Sequence, residues 1–321
     1  MSKKKAKKFL DLVIGGCDFS GTSTQINDLI EYFKSKGEKV RDLRGDEKDA
    51  LFHAEIMKPY NNTHTSFNEV MSNRKIHPFI QIDVFNHINK ILNMNSKISS
   101  MVQNDITEYI NPNSADVWIM EEPTNRGAGQ TVRRFELYRS KFGDKINPIS
   151  AALAHQAYRS EEFFRFRKII REEGKRVIRS RSEESACYQI SDKRYLLNGI
   201  PREQYLSLPG HQVAFGNPPT NIFVIVGPED WKPNDYIKLR EERCGERILD
   251  DHEKNVGYQL MVNKRYSTNW LEELYEEGCR MRGGNPPEIT RFSINDSRED
   301  IKKKMINKLE LIAREKEIKI L

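Results

Sequence analysis

Gly16-Cys17-Asp18-Phe19-Ser20-Gly21-Thr22-Ser23-Thr24 is the stretch that decides the fold. A short apolar run at 9–15 precedes it and reads as a strand. A helical pattern at 24–36 follows, with Ile26, Leu29, Ile30 and Phe33 on one face and Gly37 as its stop. Strand, glycine-bearing loop and helix, in that order, make a frame for anions. Two glycines let successive backbone N–H groups turn inward, and the helix presents its N-terminus to the same charge. The spacing matches the phosphate-binding frame G-x-x-x-x-G-K-[ST] with one change, Thr22 in place of the Lys. In that frame the Ser23 hydroxyl is a ligand for Mg²⁺. A Gly/Ser-rich turn between strand and helix is the alternative reading of the same residues.

Outward from this frame, strands and helices alternate. Strands are expected at 39–43, 116–120, 176–179, 221–226 and 289–294. Helices are expected at 147–173, with Asn147 as cap, Pro148 in the first turn and Gly174 as stop, then at 233–243, 248–277 and 298–317. The alternation argues for an α/β fold with a parallel sheet and helices on both faces. Residues 45–115 break the rhythm. Their two apolar stripes (Ile80, Val84, Ile88, Ile91 and Leu92, then Ile98, Met101, Val102 and Ile106) read as a mainly helical insertion.

Charge narrows the choice of partner. The 321 residues carry a net charge of +6. Five of those charges are Lys3, Lys4, Lys5, Lys7 and Lys8, and without them the body carries +1. Residues 1–8 therefore read as a basic disordered tail, and no nucleic acid polymer is expected as a partner. With 37% hydrophobic and 31% charged residues and 15 Phe, the rest has the composition of a folded domain. The longest apolar run, 222–226, is far too short to span a membrane, and 9–16 is too short and too acidic for a secretory signal. Cys17, Cys187, Cys244 and Cys279 have no paired spacing, which fits a reducing, cytoplasmic setting.

Several stretches together resemble the thymidylate kinase family. Its phosphate-binding loop has the form G-x-D-G-S-G-K-S-T-Q, and residues 16–25 end here in Thr24-Gln25. Its second motif, R-E-P-G-G-T-x-x-G-E-x-I-R, is similar to Glu121-Glu122-Pro123-Thr124-Asn125-Arg126-Gly127-Ala128-Gly129-Gln130-Thr131-Val132-Arg133. F-A-A-D-R corresponds to His155-Gln156-Ala157-Tyr158-Arg159. D-R-Y-x-x-S-x-x-Y-Q corresponds to Ser180-Arg181-Ser182-Glu183-Glu184-Ser185-Ala186-Cys187-Tyr188-Gln189. Pro228-Glu229 ends a strand as D-V-D-P-E does, and an Arg-rich lid at 238–253 holds Arg240, Arg243 and Arg247. The resemblance covers about 9–44 and 116–317. It implies a P-loop NTPase fold, three-layer α/β/α, as one domain over 9–321 that carries the insertion and the lid.

The resemblance also implies roles. The backbone of 16–24 would hold the ATP phosphates, and Ser23 the Mg²⁺. Asp18, Glu122, Arg126, Arg133, His155, Arg159, Arg181, Tyr188 and Gln189 would surround the acceptor nucleotide. Asp18, Glu122, Arg181, Arg243 and Arg247 would serve the transfer itself. Plain structural readings stand beside these: a helix-cap carboxylate for Asp18, a helix-start carboxylate for Glu122, surface ion pairs for Arg133 and Arg159, a core or surface histidine for His155, a surface amide for Gln189, and a solvated helix face for the lid arginines.

Three positions depart from the family pattern. Thr22 removes the ammonium over the phosphates, Ser180 removes a strand-tip carboxylate, and Glu121 reverses a charge. Losing one preorganised donor costs roughly 3 kcal/mol of transition-state stabilisation, so another cation is needed, and Arg126 or the lid arginines are the candidates. The expected activity is transfer of the ATP γ-phosphoryl group to dTMP, giving dTDP, by a protein that pairs as a homodimer like its family. The alternatives are a kinase-like protein that binds nucleotide without turnover, and a kinase for another pyrimidine nucleoside monophosphate.

Overall fold

Leu10–Gly16 forms β1, buried along its whole length at the middle of a six-stranded sheet. This computed structural model describes residues 8–45, 111–123, 129, 132, 148–191, 199–245, 249 and 251–318. Most of the basic tail, nearly all of the insertion, and Arg126, Arg133 and Arg247 lie outside the described residues. In chain order the elements are β1, α1 (Thr22–Ser35), β2 (Val40–Asp42), β3 (Val117–Glu121), α2 (Pro148–Glu162), α3 (Lys168–Glu172), β4 (Arg176–Ser180), α4 (Ala186–Gln189), α5 (Arg202–Ser207), α6 (His211–Gly216), β5 (Asn221–Val226), α7 (Pro233–Cys244), α8 (Asp251–Lys254), α9 (Val256–Ser267), α10 (Trp270–Arg282), β6 (Glu288–Ser293) and α11 (Arg298–Glu315).

The strand order is β2-β3-β4-β1-β5-β6, and every pairing is parallel. Along β1, Ile14 pairs with Ser180 of β4 and Gly16 with Ile225 of β5. Parallel strands require a crossover at each connection, and among the described residues helices lie between β1 and β2, β3 and β4, β4 and β5, and β5 and β6. Period-two alternation then sorts the side chains. Leu10, Leu12 and Ile14 pack with Ile26, Leu29 and Phe33 of α1 and with Ile301, Met305, Leu309 and Ile312 of α11. Val13 faces the other way, with Ile222 and Val224, onto Ala214 and Phe215 of α6, Met261 and Val262 of α9, and Leu271, Leu274 and Tyr275 of α10. The result is helix, sheet and helix in three layers. Each fully buried Leu, Ile or Phe contributes about 1.5–3 kcal/mol to holding it.

The strands expected from sequence are present to within a residue or two. The helices differ in instructive ways. α1 begins at Thr22 because Gly21, at φ 94°, is its cap residue, and no side chain caps it. Asp18 is therefore not a helix cap. The single stretch expected at 248–277 is three helices, because Asn255 restarts the chain by accepting the Tyr258 N–H at 3.0 Å. Between α2 and α3 the helix widens to a π turn over Phe163–Arg167. α5 and α6, six residues each, are too short to show a period and are absent from the sequence reading. Among the described residues no helix is long and apolar enough to cross a membrane.

Candidate functional site

The chain leaves β1 for the sheet edge at β2 and returns through β3 and β4 before passing to β5 and β6. That reversal opens a crevice beyond the carboxyl ends of β1 and β4, the usual ligand position in open parallel sheets. The loop 16–24 lies there. Gly16 has φ 156°, and a Cβ on it would collide with Ser20 Oγ and lie 2.7 Å from the Ile225 carbonyl oxygen. The loop backbone is thus drawn in as tightly as only glycine permits. Phe19, a non-glycine residue, sits at φ 66°.

Whether the loop suits a phosphate can be tested on its donors. The Ser20 N–H is engaged by the Cys17 carbonyl at 3.1 Å, and the Asp18 N–H by Gln259 Oε1 at 3.1 Å. The N–H groups of Thr22, Ser23 and Thr24 are the first of α1 and have no acceptor within the helix. The Ser20 hydroxyl is 2% exposed and has no hydrogen-bond partner among the described residues. A buried orphan hydroxyl beside an uncapped helix start fits an oxyanion. Burial, with Asp18 beside it, pushes the Cys17 thiol up to about 12 and so disfavours the reactive thiolate.

The cation over the loop comes from α7. Arg243 Nη1 donates to the Phe19 carbonyl at 2.7 Å, and a Cβ on Gly21 would lie 3.6 Å from the same nitrogen. Its guanidinium therefore stands beside Phe19 and Gly21. Ser23 is exposed on the first turn of α1. No group of three or more His, Cys, Asp and Glu among the described residues forms a cage for a metal. One hydroxyl fits Mg²⁺ that arrives with a nucleotide, because that ion keeps several waters and takes phosphate oxygens as ligands.

Asp18 and Arg181 are brought together. Arg181 Nη2 donates to Asp18 Oδ1, and the guanidinium stands 4.9 Å from the Tyr188 ring centroid. Arg181 holds a left-handed backbone at φ 68°, a strained state for a non-glycine residue at the tip of β4. Gln259 Nε2 donates to Asp18 Oδ2 at 2.6 Å. Tyr188 donates to the Gly16 carbonyl at 3.2 Å and so closes on the loop from α4. Gln189, next to it, has a buried Oε1 with no partner among the described residues.

Glu122 and Arg159 form a second group. Arg159 is 1% exposed, its Nε donates to Glu122, its Nη2 to the Ser182 carbonyl at 2.9 Å, and its Nη1 to the Tyr205 hydroxyl at 3.4 Å. All three corners of the fork are engaged within the protein, so the surface ion pair weighed for Arg159 is in fact a buried one. Neighbouring His155 is buried on α2. A small cavity lined by Glu121, Glu122, Tyr158, Arg159, Arg167 and Arg179 adjoins the pair and has room for about one water molecule. Glu121, at the strand tip, accepts the Gly45 N–H at 2.8 Å.

Two residues stand out that the sequence reading did not single out. Gln259 is fully buried and reaches the loop from α9. Glu184 is fully buried against Gly15, and its Oε2 has no partner among the described residues. Burial, with Glu122 nearby, pushes its carboxyl up to about 7 from an ordinary 4.5. The adjacent Glu183 goes the other way. Burial opposes its ionisation, but Arg179, Arg167 and Arg159 overcome that and hold the carboxyl below its ordinary range.

The consequence for Glu184 has a definite sign. Between pH 4.5 and 7 the folded chain keeps a proton that the unfolded chain has lost. Its contribution to stability is complete below the unfolded value and is lost as pH rises through the folded one. Glu184→Gln is expected to stabilise the protein at pH 8 by about 1–3 kcal/mol and to change little at pH 4.5. Urea midpoints at the two pH values check this.

No protein-family model matches the chain, and no curated protein matches it in sequence.

Proposed function

We propose that the chain is a P-loop nucleoside monophosphate kinase of the thymidylate kinase type, one domain with a lid, that moves the ATP γ-phosphoryl group to dTMP and releases dTDP and ADP. The observation that carries this reading is the loop itself. An uncapped helix start, an orphan buried hydroxyl at Ser20 and a guanidinium from Arg243 that donates to the Phe19 carbonyl all belong to the one loop at the carboxyl end of β1. The loop amides and Ser20 would bind the donor phosphates, and Arg243 would neutralise charge that develops on the transferring group. Mg²⁺ bound with the nucleotide supplies further charge neutralisation, with Ser23 as its protein ligand. Asp18, backed by Arg181, would orient the acceptor. Arg126, Arg133 and Arg247 belong to the same proposal on sequence grounds, as do a homodimer and a cytoplasmic setting. The test is a coupled assay of the folded protein with ATP, Mg²⁺ and a panel of nucleoside monophosphates. Turnover with dTMP foremost is expected. No turnover of any acceptor overturns the reading.

A second reading is favoured by one specific observation. Glu122 and Arg159 are tied to one another, and both oxygens of Asp18 already accept hydrogen bonds. A chain that binds nucleotide and does not turn it over would look like this. ATP binding with no product, and product appearing on Thr22→Lys, would establish that reading instead.

A further inference from the structure

We infer that Gln259 is a positioning residue of the phosphate-binding loop: its amide grips Asp18 at backbone and side chain together and holds the loop in its anion-receiving form. The nucleotide as ligand rests on the kinase reading above; the grip itself does not.

Gln259 lies on α9 and is fully buried. Its Nε2 donates to Asp18 Oδ2 at 2.6 Å, and its Oε1 accepts the Asp18 N–H at 3.1 Å. The Gln amide can donate from one atom and accept at the other, which a carboxylate or an ammonium cannot. The neighbouring residue completes a circuit. Tyr258 donates to the Tyr188 carbonyl at 2.7 Å, and Tyr188 donates to the Gly16 carbonyl at 3.2 Å. Arg181 closes it by pairing with Asp18 and standing over Tyr188. Consecutive residues of one helix thus secure two points of the loop, Gly16 through Tyr188 and Asp18 directly. Between Asp18 and α1 the chain passes through φ 66° at Phe19 and φ 94° at Gly21. A left-handed phenylalanine is held only where its surroundings fix it. Gln259, together with Arg181, holds the residue just before it, and only Gln259 among the side chains described reaches both its backbone and its carboxylate.

The experiment uses the full chain and two variants, Gln259→Met and Gln259→Glu. It reads amide hydrogen exchange over 16–24, corrected for intrinsic rates, and ATP affinity by calorimetry. Gln259→Met is expected to speed loop exchange and weaken ATP binding, each by about tenfold, the worth of a charge-assisted hydrogen bond. Exchange in α11 should stay unchanged. Gln259→Glu at pH 8 sets a carboxylate without a donor against Asp18, whose other oxygen holds Arg181, and should match or exceed that loss. At pH 5 the introduced acid is driven neutral by Asp18, regains a donor and an acceptor, and should recover part of the protection. Loop exchange unchanged in Gln259→Met, loosening spread evenly over the fold, or no recovery at pH 5 each overturns the inference. If Gln259→Met does not fold, the pH 5 and pH 8 arms of Gln259→Glu decide it. If the parent binds no ATP, the kinase reading fails while loop exchange still decides the role of Gln259.

Discussion

Asp11→Ala is expected to lower stability by about 3–5 kcal/mol, the cost of stripping a buried ion network of its centre. Asp11 is fully buried in the middle of β1. Its Oδ1 accepts from Arg179 Nε at 2.9 Å, and its Oδ2 from Arg167 Nη1 at 3.3 Å, with Arg171 Nη1 at 3.7 Å. Arg167 and Arg179 are likewise buried, and their other carboxylate is Glu183, at 3.7 and 3.6 Å. Alanine leaves two buried guanidiniums to share Glu183, in a medium where an unpaired charge is far costlier than in water. Folded domains have only about 5–15 kcal/mol to lose. Urea unfolding should show a much lower midpoint with an unchanged slope. Asp11→Asn keeps the volume and one acceptor and should fall between the two. A shift under about 1 kcal/mol for Asp11→Ala would mean the network relaxes onto solvent, against its burial.

The same network explains how the site is held. It joins β1 and β4, the two strands whose tips form the crevice, to the π turn that delivers Arg167. Loop 16–24 leaves directly from β1, and Arg181 from β4. Rigidity below the crevice comes from charge, and apolar packing on the other face of β1 supports it.

How much of this the sequence carries depends on the range of the interaction. Strand 9–15, the two loop glycines and the apolar face of α1 are local patterns with a period, and they were legible. Gln259 was not, because a lone glutamine in a helical stretch looks like any surface amide, and its partner is 241 residues away. Glu183 and Glu184 carry no local sign of burial in the sequence, yet a short 3-10 turn after β4 buries both. Asp11 did carry a signal: an acid inside an apolar strand needs a buried cation. The sequence does not say which of the many arginines answers, because the π turn that brings Arg167 within reach has no pattern of its own. Arg159 shows the converse case. Its motif placed it correctly on α2, but not its engagement by Glu122, Ser182 and Tyr205.

If the chain is the kinase proposed above, Arg243→Ala is expected to lower kcat/KM for phosphoryl transfer by about a hundredfold or more, the size of one preorganised donor at the transition state. The residue is exposed on the last turn of α7, so its loss should change stability by no more than about 0.5 kcal/mol. The rate effect therefore cannot pass through unfolding. Its guanidinium reaches the Phe19 carbonyl and the edge of Gly21, and the next residue in the chain, Thr22, is where the usual frame has an ammonium. If the two cations serve the same end, their effects are not independent. Thr22→Lys in the Arg243→Ala background should restore most of the lost activity, while Thr22→Lys alone should add little to a site already neutralised. That non-additivity is the signature of one role filled from two positions. Arg243→Lys should recover only part, since a point charge on a flexible stem cannot keep the Phe19 contact and span phosphate oxygens as a fork does. Activity within about threefold of the parent after Arg243→Ala, equivalent to well under 1 kcal/mol, would show that the loop does not depend on this arginine. The compensating charge would then have to come from elsewhere in the chain, with Arg126 the first to examine by the same double substitution.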